Sequence, residues 1–116
     1  MSPRALWIPF EVDDLDEATH FYTDQVGLSV VDSWEREGER GVVLRVAEGA
    51  FVELVSSGAG HPPLIAFEEA DESEVDSSYA RWTDPTPAAP YRHPRGHYGF
   101  TAPGPTGVNI MVWSEK

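Results

Sequence analysis

At 116 residues the chain is the size of one hydrophobic core, and an apolar share of 41% sets it apart from disordered and fibrous sequences. It contains no cysteine, which removes disulfides, thiolate nucleophiles and cysteine-based zinc sites together. The formal net charge of −12 counts against nucleic acid as a partner, since phosphate binding needs clustered Lys and Arg, and it suits a solvated surface or a cationic ligand.

The first segment, Leu6 to Val12, alternates with Ile8, Phe10 and Val12 apolar, as a half-buried strand does. The run from Ala5 to Phe10 is too short, and too poor in flanking basic residues, for a signal peptide. No run reaches the roughly 18 apolar residues of a membrane span, so a cytoplasmic location is expected. Asp14 then stands as a helix N-cap, with Glu17 placed for a capping box. Leu15, Ala18, Tyr22 and Val26 form a helical stripe, and Gly27 suits the residue after the helix end. Three short strands follow at Leu28 to Trp34, Gly41 to Val46 and Ala50 to Val55. The charged turn Glu35 to Arg40 and the pair Glu48 and Gly49 separate them.

Ser57 to Pro63, rich in Gly, Ser and Pro, reads as a linker. Beyond it comes a strand at Leu64 to Glu68 and a helix from about Asp71 to Trp82, with the stripe Val75, Tyr79 and Trp82. Asp84 to Pro90 is broken by prolines and reads as loop. Strands at Tyr91 to His93, Gly96 to Ala102 and Val108 to Trp113 complete the chain, with Gly104 to Gly107 as the last turn. The second half repeats the first. Phe10, Glu11, Asp14 and Tyr22 recur 57 positions later as Phe67, Glu68, Asp71 and Tyr79, and Ile8 and Glu17 recur as Ile65 and Glu74. The expected plan is one α+β domain of two β-α-β-β-β units, about 5–56 and 64–114.

That duplication resembles the vicinal oxygen chelate superfamily of glyoxalases, bleomycin-resistance proteins and extradiol dioxygenases. Phe10 to Val31, reading FEVDDLDEATHFYTDQVGLSVV, is similar to the family's opening strand and helix. FVELVSS is similar to its fourth strand, and Pro94 to Trp113 to its closing hairpin, with Gly104 where the family's turn usually has Asp, a change expected to cost turn stability. The resemblance implies that the units curl into a cup-shaped mixed sheet around a cavity. It also implies a homodimer with cavities completed between subunits. Metal-dependent members hold a divalent ion with His, Glu or Gln from four strand positions.

Carried onto this sequence, those four positions fall on Trp7, Glu53, Leu64 and Met111. Indole and Leu offer no lone pair and a thioether suits hard cations poorly, so a family-type metal and any other cofactor are expected to be absent. His61 stands near Leu64 but behind two prolines. His93 and His97 flank Pro94 and Gly96, which rules out a helix and favours two surface imidazoles. Glu53 could serve as a general base if desolvated.

Strand alternation sorts the remaining side chains. Trp7, Pro9 and Glu11, Phe51 and Glu53, Leu64, His97, and Asn109, Met111 and Trp113 fall on the face away from the helices. Val43, Arg45, Val55, Ala66, Glu68, Gly99 and Thr101 join them. Trp34 adds a further stacking candidate whose face is open. Aromatic walls that include Trp7 and Trp113 suit a flat or amphipathic ligand, with Glu53 and Glu11 meeting its cationic groups. The leading expectation is a metal-free protein that sequesters an antibiotic or aromatic natural product, as in resistance or self-resistance. A glyoxalase-like lyase or isomerase using Glu53 with an atypical or absent metal is the alternative, and a purely structural module the third.

Overall fold

The computed structural model describes residues 3–60, 62–83 and 86–116. His61, Asp84 and Pro85 lie outside the described residues, so the readings of His61 and of the start of the proline-broken loop are not addressed. The fold is α+β, and its strands and α-helices run β-α-β-β-β twice. The chain gathers into two compact units, Trp7–Pro63 and a second made of Leu64–Lys116 with the N-terminal residues up to Leu6. The division falls at the linker, with one departure: the first two residues of the opening strand belong to the second unit.

In the first unit the strands are β1 (Ala5–Glu11), β2 (Ser29–Arg36), β3 (Glu39–Ala47) and β4 (Ala50–Ser56), ordered β2-β3-β4-β1. The β2/β3 and β3/β4 pairs are antiparallel. Helix α1 (Leu15–Phe21) starts where the capping motif places it: the Glu17 amide donates to Asp14 Oδ1 at 3.0 Å. Leu15, Leu44 and Leu54 form the buried core, with Phe10, Val12, Ala18, Tyr22, Val42 and Val52 packed around it. Burying these three leucines is the main force holding helix to sheet, at roughly 1.5–3 kcal/mol each.

One residue of the expected stripe departs. Tyr22–Val26 winds as a π-helical turn, ended by Gly27 at φ 89°, and Val26 is 53% exposed. The wider turn rotates Val26 off the core-facing line that Leu15, Ala18 and Tyr22 share. The expected turn at 35–40 is also tighter than read, because the strands run on to Arg36 and from Glu39, leaving Glu37 (φ 48°) and Gly38 (φ 82°) as the corner.

The second unit carries β5 (Ile65–Glu68), α2 (Glu72–Tyr79), β6 (Tyr91–Arg92), β7 (Tyr98–Pro103) and β8 (Asn109–Ser114), with strand order β5-β8-β7-β6. β5 runs parallel to β8; the β8/β7 and β7/β6 pairs are antiparallel. The Glu74 amide donates to Asp71 Oδ1 at 3.0 Å, the same cap as in the first unit. Val75, Phe100 and Val112 make the core, with Tyr79, Trp82, Tyr98 and Ile110 against it. Gly104 does not weaken its turn: a Cβ there would stand 2.4 Å from the Val108 carbonyl oxygen, so the close approach requires glycine.

Because each unit opens its helix with one Asp, Asp14→Ala and Asp71→Ala should each lower stability by about 1 kcal/mol in urea unfolding. Conversion of Asp14 and Asp71 to Ser should restore most of that loss. No effect from either alanine would show that packing alone holds the helix starts.

Candidate functional site

Each helix covers one face of its sheet, and the opposite faces carry the aromatic side chains. In the first unit, Val43 pairs with Glu53 and Arg45 with Phe51, so these share a face; Val42, Leu44, Val52 and Leu54 share the other with α1. Trp7 stacks on Phe51, with centroids 4.5 Å apart and planes at 28°. Trp34 pairs with Gly41, which fixes its face beside Glu53. Its indole lies directly on the Gly41 backbone, where a Cβ would come within 2.1 Å of the ring. The Trp34 Nε1–H donates to Glu53 Oε2 at 2.9 Å. Glu53 is therefore an oriented, half-buried carboxylate. Pro9, between Trp7 and Glu11 on β1, is half-buried as well.

Glu11 takes a different role from the one expected of it. Oε2 accepts from the amides of Ser57 and Gly58 at 2.7 and 2.9 Å, and Oε1 accepts from Ser57 Oγ at 2.7 Å. Both carboxylate oxygens thus hold the start of the linker. Charge-assisted hydrogen bonds of this kind are worth about 1.5–3 kcal/mol each, so this carboxylate is committed to the fold rather than offered to a ligand's cation.

In the second unit, Trp113 pairs with Gly99 and with Glu68, and Thr101 with Met111. Gly99 admits the tryptophan: a Cβ there would stand 2.9 Å from Trp113 Cβ. Glu68, 9% exposed, lies 3.8 Å from the Arg4 guanidinium. Asn109 is exposed at the start of β8, and Leu64 is half-buried just before β5.

His93 and His97 are not independent surface imidazoles. The His93 amide donates to the His97 carbonyl at 2.7 Å, closing the β6/β7 hairpin and setting the two residues opposite each other. The rings stack at 4.1 Å and 18°. Tyr91 stacks on His93 at 4.1 Å, and Trp113 meets His97 edge to face at 5.9 Å. Four rings form one continuous array. Of these, His97 and Trp113 were expected on this face; Tyr91 and His93 were missed, though pairing the hairpin residue by residue would have placed both. Burial, with His93, Arg95 and Arg92 adding to it, pushes the His97 imidazole down to about 4, so it is neutral near pH 7.

Trp7, Leu64 and Met111, at three of the four positions where the resemblance leads one to expect metal ligands, supply no hard donor atoms. Among the described residues, no three His, Asp or Glu side chains converge on a common point. A carboxylate on β4 remains at the fourth position, already bonded to Trp34. Of these four side chains, only Glu53 offers an oxygen donor. Among the described residues, no helix is long and apolar enough to cross a membrane.

A family model described as the Glyoxalase/Bleomycin resistance protein/Dioxygenase superfamily matches residues 6–111. The chain belongs to this superfamily. Solved structures repeat the fold over almost the whole length. A structure titled NAD-dependent benzaldehyde dehydrogenase from Legionella pneumophila is 15% identical, with TM-score 0.72, covering 96% of this chain and 99% of that one. A single-residue variant of Streptomyces coelicolor methylmalonyl-CoA epimerase, in complex with 2-nitronate-propionyl-CoA, is 20% identical with TM-score 0.71, covering 98% of this chain and 95% of that one. A superfamily member from Vibrio splendidus 12B01 is 18% identical with TM-score 0.65, covering 94% and 97%. At these identities the likeness is one of fold. No curated protein matches the present chain in sequence.

The depressed His97 has a measurable consequence. Its folded value lies below the ordinary value of 6.5, so the unfolded chain takes up the proton first as pH falls. Stability from this group is complete above pH 6.5 and is lost as pH drops from there toward about 4. Imidazole NMR titration should show one histidine neutral to near pH 4, and that resonance should vanish in His97→Phe. An ordinary titration of His97 near 6.5 would mean the stack is open in solution.

Proposed function

We propose that this protein is a non-covalent binding protein for a flat, partly aromatic small molecule, acting without a family-type metal, in the manner of the superfamily's sequestering resistance members. The observation that carries the proposal is the Tyr91–His93–His97–Trp113 array on the helix-free face of the second unit. Three half-buried rings and the exposed Tyr91 on the same side of a sheet offer stacking surface to a planar ligand. The Trp7–Phe51 stack in the first unit supports the same chemistry. We further propose a cytoplasmic homodimer.

A second reading rests on one observation. Glu53 is a half-buried carboxylate fixed by the Trp34 indole, as a proton-transfer base needs to be, and the fold is shared with methylmalonyl-CoA epimerases. Under this reading the chain moves a proton on a small carbonyl compound, and Glu53→Gln abolishes turnover. Binding without turnover separates the two.

Titration with bleomycin-like, anthraquinone and enediyne compounds should quench tryptophan fluorescence. Loss of one indole, in Trp113→Ala or Trp7→Ala, should weaken binding roughly 2- to 30-fold, from stacking terms of about 0.5–2 kcal/mol. Tight binding unchanged in both variants would place the ligand elsewhere. Elemental analysis of dialysed protein should find less than stoichiometric divalent metal; a full equivalent lost in Glu53→Gln would overturn the metal-free reading. Light scattering should give about twice 12.8 kDa, and a monomer at high micromolar concentration would contradict the dimer.

A further inference from the structure

The acidic residues of this chain are unevenly placed. None of the 20 Asp and Glu falls between Pro85 and Ser114, while that stretch holds two of the eight Lys and Arg and two of the four His. In a chain of net charge −12, it carries positive formal charge alone. The Tyr91–His93–His97–Trp113 array lies wholly within it.

The two imidazoles add direction to that charge. His93 Nδ1 and His97 Nε2 are sealed from solvent and have no hydrogen-bond partner. A neutral imidazole carries one N–H, and a sealed N–H without an acceptor is rarer in proteins than an unused lone pair. The nitrogen through which each ring can donate outward is therefore the other one, His93 Nε2 and His97 Nδ1, which are not sealed in this way. Two donors thus stand on rings 4.1 Å apart. Arg95 lies in the turn between them. Arg92 precedes them, with its guanidinium donating to the Gly96 carbonyl and paired with Glu72. Glu68, in register with Trp113, is an acidic group on the same face, and Arg4 stands 3.8 Å from it.

We infer that this face takes an anionic aromatic compound, its ring against the Tyr91 and Trp113 side chains and its oxyanion accepting hydrogen bonds from His93 and His97. This rests on the aromatic-binding reading and names the ligand class for it. It reverses the cationic ligand suggested by overall charge, since the Glu11 and Glu53 carboxylates that would greet a cation accept bonds from the protein's own donors. An oxyanion beside His97 favours its protonated form, so the complex binds a proton that the free protein does not. Affinity for the anion then rises as pH falls from 7 toward 5, with Tyr91, His93, Arg92, Arg95 and the Arg4–Glu68 pair as the other charged or titratable groups around the array.

Calorimetry with three matched probes tests this: naphthalene-2-sulfonate, naphthalene-2-sulfonamide and 2-naphthylmethylammonium. The sulfonate should bind roughly tenfold tighter than the sulfonamide at pH 7, the scale of one charge-assisted hydrogen bond. The ammonium should bind weakest. The sulfonate's advantage should widen at pH 5 and shrink with added salt. In His97→Phe and His93→Phe, which keep a flat ring, the ratio should fall to within about twofold. Because the pH and salt arms use the unmodified protein, they decide the matter even where a variant fails to fold. Equal binding of all three probes, or tightest binding of the ammonium, overturns the anion assignment and leaves the aromatic-binding reading standing. No binding of any probe overturns both.

Discussion

A four-stranded sheet has two faces, and one short helix can cover only one of them. That constraint organises both units of this protein. Leu15 and Val75 are each almost wholly buried beneath their helices against leucine, valine and phenylalanine from the strands. Once those residues claim the covered face, the two-residue period of the strand sends their neighbours to the other side. Trp7, Phe51 and Glu53 in one unit, and Met111 and Trp113 in the other, are placed by their neighbours' packing. The side chains available for chemistry are thus a by-product of core formation.

The uncovered faces then need local devices to hold large rings flat on a sheet, and glycine supplies them. Trp34 can lie across β3 because Gly41 has no side chain, and Trp113 sits beside Gly99 for the same reason. An indole pinned against backbone loses little further entropy when a ligand stacks on it, which favours binding. The hydrogen bond from Trp34 to Glu53 extends the effect to a carboxylate. Rigid aromatic rings with few hard donor atoms make a surface better suited to recognising a planar molecule than to gripping a hard cation.

Much of this was legible in the sequence, because the decisive signals are local. The Asp14 and Asp71 caps, the alternation in β1, β4 and β8, and the linker at 57–63 each depend on residues within a few positions of one another. The failures have the opposite character. The π-helical turn at Tyr22–Val26 breaks a period that sequence alone presents as unbroken. The register of β2 shifts between Val30 and Asp32, so counting by twos could not give the face of Trp34. Glu11 meets Ser57 and Gly58 across more than 45 positions. His93 and His97 look like unrelated imidazoles until the hairpin brings them together.

The central claim is that the face turned away from the helix, rather than the core beneath it, meets the ligand. The second unit tests this internally, because it carries one tryptophan on each side: Trp113 on the uncovered face and Trp82 packed against the Val75 and Phe100 core. Nitrogen-15 spectra resolve indole N–H signals one by one, and single tryptophan substitutions assign them. During titration with an aromatic ligand, the Trp113 indole signal should shift in proportion to occupancy while that of Trp82 stays in place. Movement of Trp82 with a stationary Trp113 would contradict the account.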